Sequence, residues 1–282
     1  MDLLAADYDG DGKTDITVYR DTTGDWFTRK SLGGSQVTSW GAPTLDDIPV
    51  AADYDGDNRA DVAVFRRSTG QWFINKSLGG GTTTSWGAPG LGDLPVPADY
   101  DGDGNADIGV YRGSTGEWFI NLSGGGSRVQ SWGAPSLRDV PISADYDGDG
   151  KADIGVYRGS TGQWFVLNSG GGSSSVSWGA PTLGDMPVPG DYDGDDRADV
   201  AVYRGSTGQW FIAYSGGGGE TVAWGAPQQG DIPVPADFDG DGRTDKGLYR
   251  SSTGEWLLSF SSGGTQTLAW GAPSLNDIVR GR

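Results

Sequence analysis

Asp7, Asp9, Asp11 and Asp15 occupy positions 1, 3, 5 and 9 of DYDGDGKTD. In a tight loop that spacing turns alternate carboxylates toward one centre, while the ninth residue returns from the start of the next segment. The seventh residue, Lys13, is placed to offer its backbone carbonyl. Five further copies follow: Asp53, Asp55, Asp57, Arg59 and Asp61; Asp99, Asp101, Asp103, Asn105 and Asp107; Asp145, Asp147, Asp149, Lys151 and Asp153; Asp191, Asp193, Asp195, Arg197 and Asp199; Asp237, Asp239, Asp241, Arg243 and Asp245. The mixed side chains at the seventh position make sense if only its carbonyl is used. Four carboxylates and a carbonyl are hard oxygen ligands, and a loop able to supply six to eight of them favours Ca²⁺ over the strictly octahedral Mg²⁺. Histidine and cysteine, the usual transition-metal ligands, are absent.

The loop opens like an EF-hand and then departs from it. No glutamate stands at position 12, and the ninth-position aspartate leads into a segment of strand character. Glycine fills the sixth position in four copies, while Asn58 and Asp196 fill it in the others; both residue types tolerate a left-handed backbone. The plainer reading is a set of polar turns. Six clusters of four carboxylates would, however, repel one another strongly without a cation. About one Ca²⁺ per loop would move the formal charge from −18 to −6, and affinities of roughly 10⁻⁴–10⁻³ M suit extracellular calcium.

What positions these loops is a repeat of 46 residues. Asp7 returns at 53, 99, 145, 191 and 237; Trp26 returns at 72, 118, 164, 210 and 256; WGAP begins at 40, 86, 132, 178, 224 and 270. One repeat, from Ile48 to Pro89, holds four short strand-like segments split by turn chemistry, and no helix is evident. Six units of four antiparallel strands predict an all-β, six-bladed β-propeller spanning 1–282 as one domain. Proline pairs two residues apart, such as Pro95 with Pro97, put the first segment at a sheet edge, facing the central channel. The ends leave two closures open: six contiguous blades, or a strand supplied by DIVRGR at 277–282.

Composition limits the partners. A net charge of −18 opposes phosphate backbones and anionic lipid, so neither nucleic acid nor membrane insertion is expected. No stretch reaches membrane-span length, and no basic-then-apolar leader precedes the first motif. The expected molecule is a monomer that is secreted or held at a cell surface.

VPADYDGDGNADIGVYR resembles the calcium-loop segment of FG-GAP-like or VCBS-type repeats, which build the integrin alpha-chain propeller and certain fungal and bacterial propeller lectins. The resemblance covers essentially the whole chain. Trp40 and Gly41 are similar to the family's aromatic–glycine element, whereas VYR replaces the GAP expected after the loop strand. Calcium in every blade is unusual for the family, and the ligand-recognising insertions of integrins are absent. The resemblance implies a calcium-stiffened, usually secreted propeller.

Catalysis is the class least favoured by these residues, and a non-enzyme is expected. The three glutamates are Glu117, Glu220 and Glu255, and the first and last occupy equivalent repeat positions. Repetition suits multivalent binding. Candidate sugar contacts are the repeated aromatic, arginine and tryptophan positions: Tyr19, Arg20 and Trp40; Phe65, Arg66 and Trp86; Tyr111, Arg112 and Trp132; Tyr157, Arg158 and Trp178; Tyr203, Arg204 and Trp224; Tyr249, Arg250 and Trp270. Each has a structural alternative. The arginines can form interblade ion pairs with the Asp47 series, and the Trp40 series can seal a blade edge. The Trp26 series is expected to be buried between blades. Asn75 and Asn121 begin short NKS and NLS sequons. The competing function is a structural or adhesive scaffold that presents a rigid surface to a protein.

Overall fold

The computed structural model describes residues 4–279. The fold is all-β: a β-propeller of six four-stranded antiparallel blades, with single 3₁₀ turns at Pro135–Leu137 and Pro273–Leu275. The chain divides into two compact units, one of residues 1–135 with 270–282 and the other of residues 136–269. Each unit holds three sheets.

The second blade shows the pattern. Its first strand, Asp47–Pro49, pairs only with the second, Val62–Arg66, an edge position that suits Pro49; the third is Gln71–Asn75 and the fourth Gly81–Ser85. VAVFR is buried at four successive positions, the mark of a strand covered on both faces. The third strand alternates, with Trp72 and Ile74 buried and Phe73 half-covered, and the fourth is mostly exposed.

The cores lie between sheets rather than inside them. Ile48, Val50, Phe65, Trp72 and Ile74 of the second blade pack with Ile108 and Val110 of the third. In the other unit, Tyr203, Trp210 and Ile212 pack with Leu248 of the following blade. A blade therefore completes its apolar burial only through its neighbour.

The first blade settles the question of closure that the sequence left open. Asp277–Ile278 is its first strand, pairing with Ile16–Arg20 ahead of Asp25–Arg29 and Ser35–Ser39. Leu4 N–H also donates to the Val279 carbonyl at 3.0 Å. The Asp47 series carried the signal: its sixth member is Asp277, whereas the matching position at the other end is Met1. Asp277 accepts a two-point ion pair from Arg20, at 2.8 and 3.0 Å. Replacing Asp277 with alanine strands that largely buried guanidinium, so the variant is expected to lose about 3 kcal/mol. Chemical denaturation measures the loss, and the double change Arg20→Met with Asp277→Leu should recover most of it.

Candidate metal loops and interblade grooves

Each aspartate loop is pinched at its base by a single antiparallel bridge; in the first blade Ala6 faces Asp15, whose N–H donates to the Ala6 carbonyl at 2.9 Å. Inside the loop Asp7 acts as an organiser. Its Oδ1 accepts the N–H groups of Asp9 and Gly10 at 3.2 and 2.6 Å, and its Oδ2 accepts that of Gly12 at 2.8 Å. Asp11 accepts Lys13 N–H on one oxygen and the Ser31 hydroxyl on the other, at 2.9 and 2.8 Å. Asp15 accepts Tyr8 N–H and Ser31 N–H, at 3.0 and 2.7 Å. Asn58 and Asp196 adopt φ of 63° and 65°, filling the sixth position as glycine does elsewhere.

Asp9 stands apart. Both of its carboxylate oxygens are shielded from solvent and accept no hydrogen bond, and one oxygen of Asp55, Asp101, Asp147 and Asp193 is in the same state. Orphaned anionic oxygens are costly unless a cation neutralises them. Carboxylate oxygens of Asp7, Asp9 and Asp15 lie within 4.8 Å of one another, as do those of Asp53, Asp55 and Asp57, and similar groups recur at Asp99, Asp145 and Asp191. The donor set fits a hard divalent cation held chiefly by the third-position aspartate, with the first and ninth beside it.

Sequence reasoning missed Ser31 and its copies Ser77, Ser123, Ser169, Ser215 and Ser261. Each ties the ninth aspartate to the fifth through N–H and hydroxyl bonds from the turn after the third strand. The signal was the 46-residue recurrence of that serine. Two of these serines end the NKS and NLS triplets, where they bond to aspartates.

The loops also interlock. Ala60 N–H donates to the Asp7 carbonyl at 2.6 Å, and Ala106 to Asp53, Ala198 to Asp145 and Thr244 to Asp191 do the same. Arg59 lies against Gly10, where an added Cβ would meet its Nε at 2.8 Å. The seventh-position side chain thus leans on the preceding loop instead of its own.

Burial raises the ninth-position aspartates above the usual carboxylate range, with Asp61 and Asp199 pushed up to about 6 and Asp15, Asp107, Asp153 and Asp245 moved the same way. In metal-free protein, protonating these groups favours the fold. Their stabilising effect is complete below the ordinary carboxylate pKa and fades as pH rises through about 6. The melting temperature in EDTA should therefore rise between pH 7 and 5. In calcium it should fall over the same interval, because protons compete with the ion. Paired melting curves check the opposite signs.

Tyr19, Phe65, Tyr111, Tyr157, Tyr203 and Tyr249 are almost wholly buried, with Tyr19 5.4 Å from Trp26. The arginine partners are the Asp47 series, as the sequence suggested, but the pairs lie within blades and not between them. Asp47 and Arg66 face each other across the first two strands of one sheet and bond at 2.7 and 2.9 Å; the pattern repeats through Arg112–Asp93, Arg158–Asp139, Arg204–Asp185 and Arg250–Asp231. The guanidinium also lies over the third-strand phenylalanine, 4.2 Å from the Phe27 ring centroid for Arg20.

The Trp26 series is fully buried, and Trp26, Trp72, Trp118, Trp164 and Trp210 give their indole N–H to the carbonyls of Trp40, Trp86, Trp132, Trp178 and Trp224. Trp40, Trp86, Trp132, Trp178, Trp224 and Trp270 are half-buried. Trp40 donates to the Phe73 carbonyl of the next blade and Trp86 to that of Phe119, both at 2.9 Å. Beside Trp86 runs a groove of about 270 Å³, lined by Arg112, Phe119, Gly87 and Ala88. It joins two aromatic surfaces to a cation, a setting in which a ring with an apolar face and polar edges can lodge.

The sequence profile of the FG-GAP-like repeat matches residues 7–64 and 53–110. No curated protein sequence matches the chain. Among solved structures it is similar to an Agrocybe aegerita lectin that recognises non-reducing terminal N-acetylglucosamine, at 20% identity and a TM-score of 0.61 over 95% of this chain and 79% of that one. It is also similar to a catalytically inactive His-to-Ala virginiamycin B lyase from Staphylococcus aureus, at 9% identity and a TM-score of 0.60 over 94% and 84%. A third is BBS1N in complex with ARL6DN, at 12% identity and a TM-score of 0.55 over 99% and 83%. These likenesses are of fold.

Proposed function

From a chain that carries FG-GAP-like repeats, we infer a calcium-stabilised, multivalent carbohydrate-binding propeller that works outside the cell as a single domain. The observation that carries the carbohydrate reading is the groove between the second and third blades, where half-buried Trp86 and Phe119 flank Arg112. Its aromatic and arginine elements recur along the chain, so similar grooves would supply several weak contacts in place of one strong one. The Agrocybe aegerita lectin, a protein of similar fold that recognises non-reducing terminal N-acetylglucosamine, lends support. Calcium rests on the orphaned Asp9-type oxygens. None of the described residues forms a helix long and apolar enough to cross a membrane, and the calcium affinities expected of such loops suit an extracellular setting.

We read the chain as a binder and not as a catalyst. The inactive lyase variant of similar fold lost a histidine, and this chain contains none. A glycan array probed with and without EDTA tests the reading: calcium-dependent binding is expected, weakened at least fivefold by Trp86→Ala. An array silent in calcium overturns it.

A protein-binding scaffold has its own support. Leu32 and Leu78, exposed at 73% and 74%, stand on the turns after the third strands of the first two blades, and the BBS1N neighbour is seen with a protein partner.

A further inference from the structure

The repeated side chains are largely committed to the fold: the tyrosines are buried, and the arginines are paired with aspartates. Chemistry that differs from blade to blade must come from positions that break the repeat. Two such positions, Asp21 and Asp46, lie in the first and second repeats. Asp21 stands where other repeats have Arg67, Gly113, Gly159, Gly205 and Ser251; Asp46 stands where they have Gly92, Arg138, Gly184, Gly230 and Asn276.

Asp21, Asp46 and Arg67 line a partly enclosed pocket of about 220 Å³ together with buried Ile48 and Pro49 and exposed Pro43. Asp46 holds a left-handed backbone, φ 54°, that glycine takes in three other repeats, so a side chain is kept at a position better suited to none. Arg67 Nη1 lies 3.7 Å from Asp46 at the rim, and Asn276 Nδ2 donates to Asp21 at 3.2 Å. Two carboxylates accept hydrogen bonds from hydroxyls, a guanidinium donates them, and the apolar lining can cover the C–H face of a pyranose ring. The volume suits one ring.

We propose that this pocket is a single monosaccharide subsite, different in composition from the repeated grooves. The proposal rests on the carbohydrate reading above and deepens it: a terminal hexose is recognised through adjacent hydroxyls by Asp21 and Asp46, with Arg67 donating to a ring substituent.

The test compares the natural chain with the triple variant Asp21→Gly, Asp46→Gly and Arg67→Gly. Each change installs the residue that three other repeats carry, so the fold is preserved, and a melting curve verifies it. Glucose, galactose, mannose, L-fucose and N-acetylglucosamine are titrated in excess calcium by calorimetry and saturation-transfer NMR. The expected result is one equivalent of at least one sugar bound by the natural chain, weakened tenfold or more in the variant. Equal binding by both proteins overturns the subsite and leaves the carbohydrate reading intact. Glycan-array binding with no monosaccharide bound does the same. Silence in both assays overturns both.

Discussion

Excess EDTA is expected to lower the melting temperature of this protein by about 20 °C, with the three linked loops of each unit failing together. At calcium about thirty-fold above a site's Kd, mass action adds about 2 kcal/mol per site, or about 12 kcal/mol for six. For a chain of 282 residues the unfolding entropy of about 2.1 cal/mol/K per residue converts that into the stated shift. Cooperativity follows from the backbone bonds that join consecutive loops, such as Ala60 to Asp7 and Ala106 to Asp53. A loop splayed by repulsion pulls on the carbonyl its neighbour needs. Calorimetry with calcium back-titration is the measurement. An unchanged melt in verified metal-free protein removes calcium from the account.

The second large effect is expected from a tryptophan. Trp72 is fully buried between the second and third blades and donates its indole N–H to the Trp86 carbonyl at 2.8 Å. Trp72→Ala opens a cavity and orphans that carbonyl, for a loss of about 4 kcal/mol, or about 7 °C in a chain of this size. Trp72→Phe keeps most of the bulk and forfeits chiefly the hydrogen bond, so about 1–2 kcal/mol is expected. Urea titration of both variants separates packing from polar satisfaction. Equal losses would mean the hydrogen bond dominates.

The blades were legible because their cues are local and repeated six times. Proline at Pro49 and Pro95 marked an edge, glycine turns marked hairpins, and the 46-residue period removed the ambiguity of any single short strand. The grouping of acidic side chains in each loop was legible for the same reason. What escaped were relations that local spacing leaves undetermined. Asp47 and Arg66 are 19 residues apart, a separation that an intrablade or an interblade pair could satisfy, and only the antiparallel register placed them opposite each other. Ser31 was passed over because serine in a turn is ordinary; its meaning arises when the third-strand turn folds back over Asp11 and Asp15. The Trp40 series kept two readings because a half-buried indole does both things: its N–H stitches one blade to the next while part of the ring stays at the surface.

The first blade also sets an order of events during synthesis. Its second strand, Ile16–Arg20, is made well before the strand that covers its edge, Asp277–Ile278, and Arg20 precedes Asp277 by 257 residues. Until Asp277 has been made, Arg20 lacks its counter-ion and one edge of that sheet stays open to foreign strands. Chains terminated before Asp277 would carry that defect permanently, which marks them for proteolysis, while chains that extend past it erase the defect by pairing Asp277–Ile278 with Ile16–Arg20.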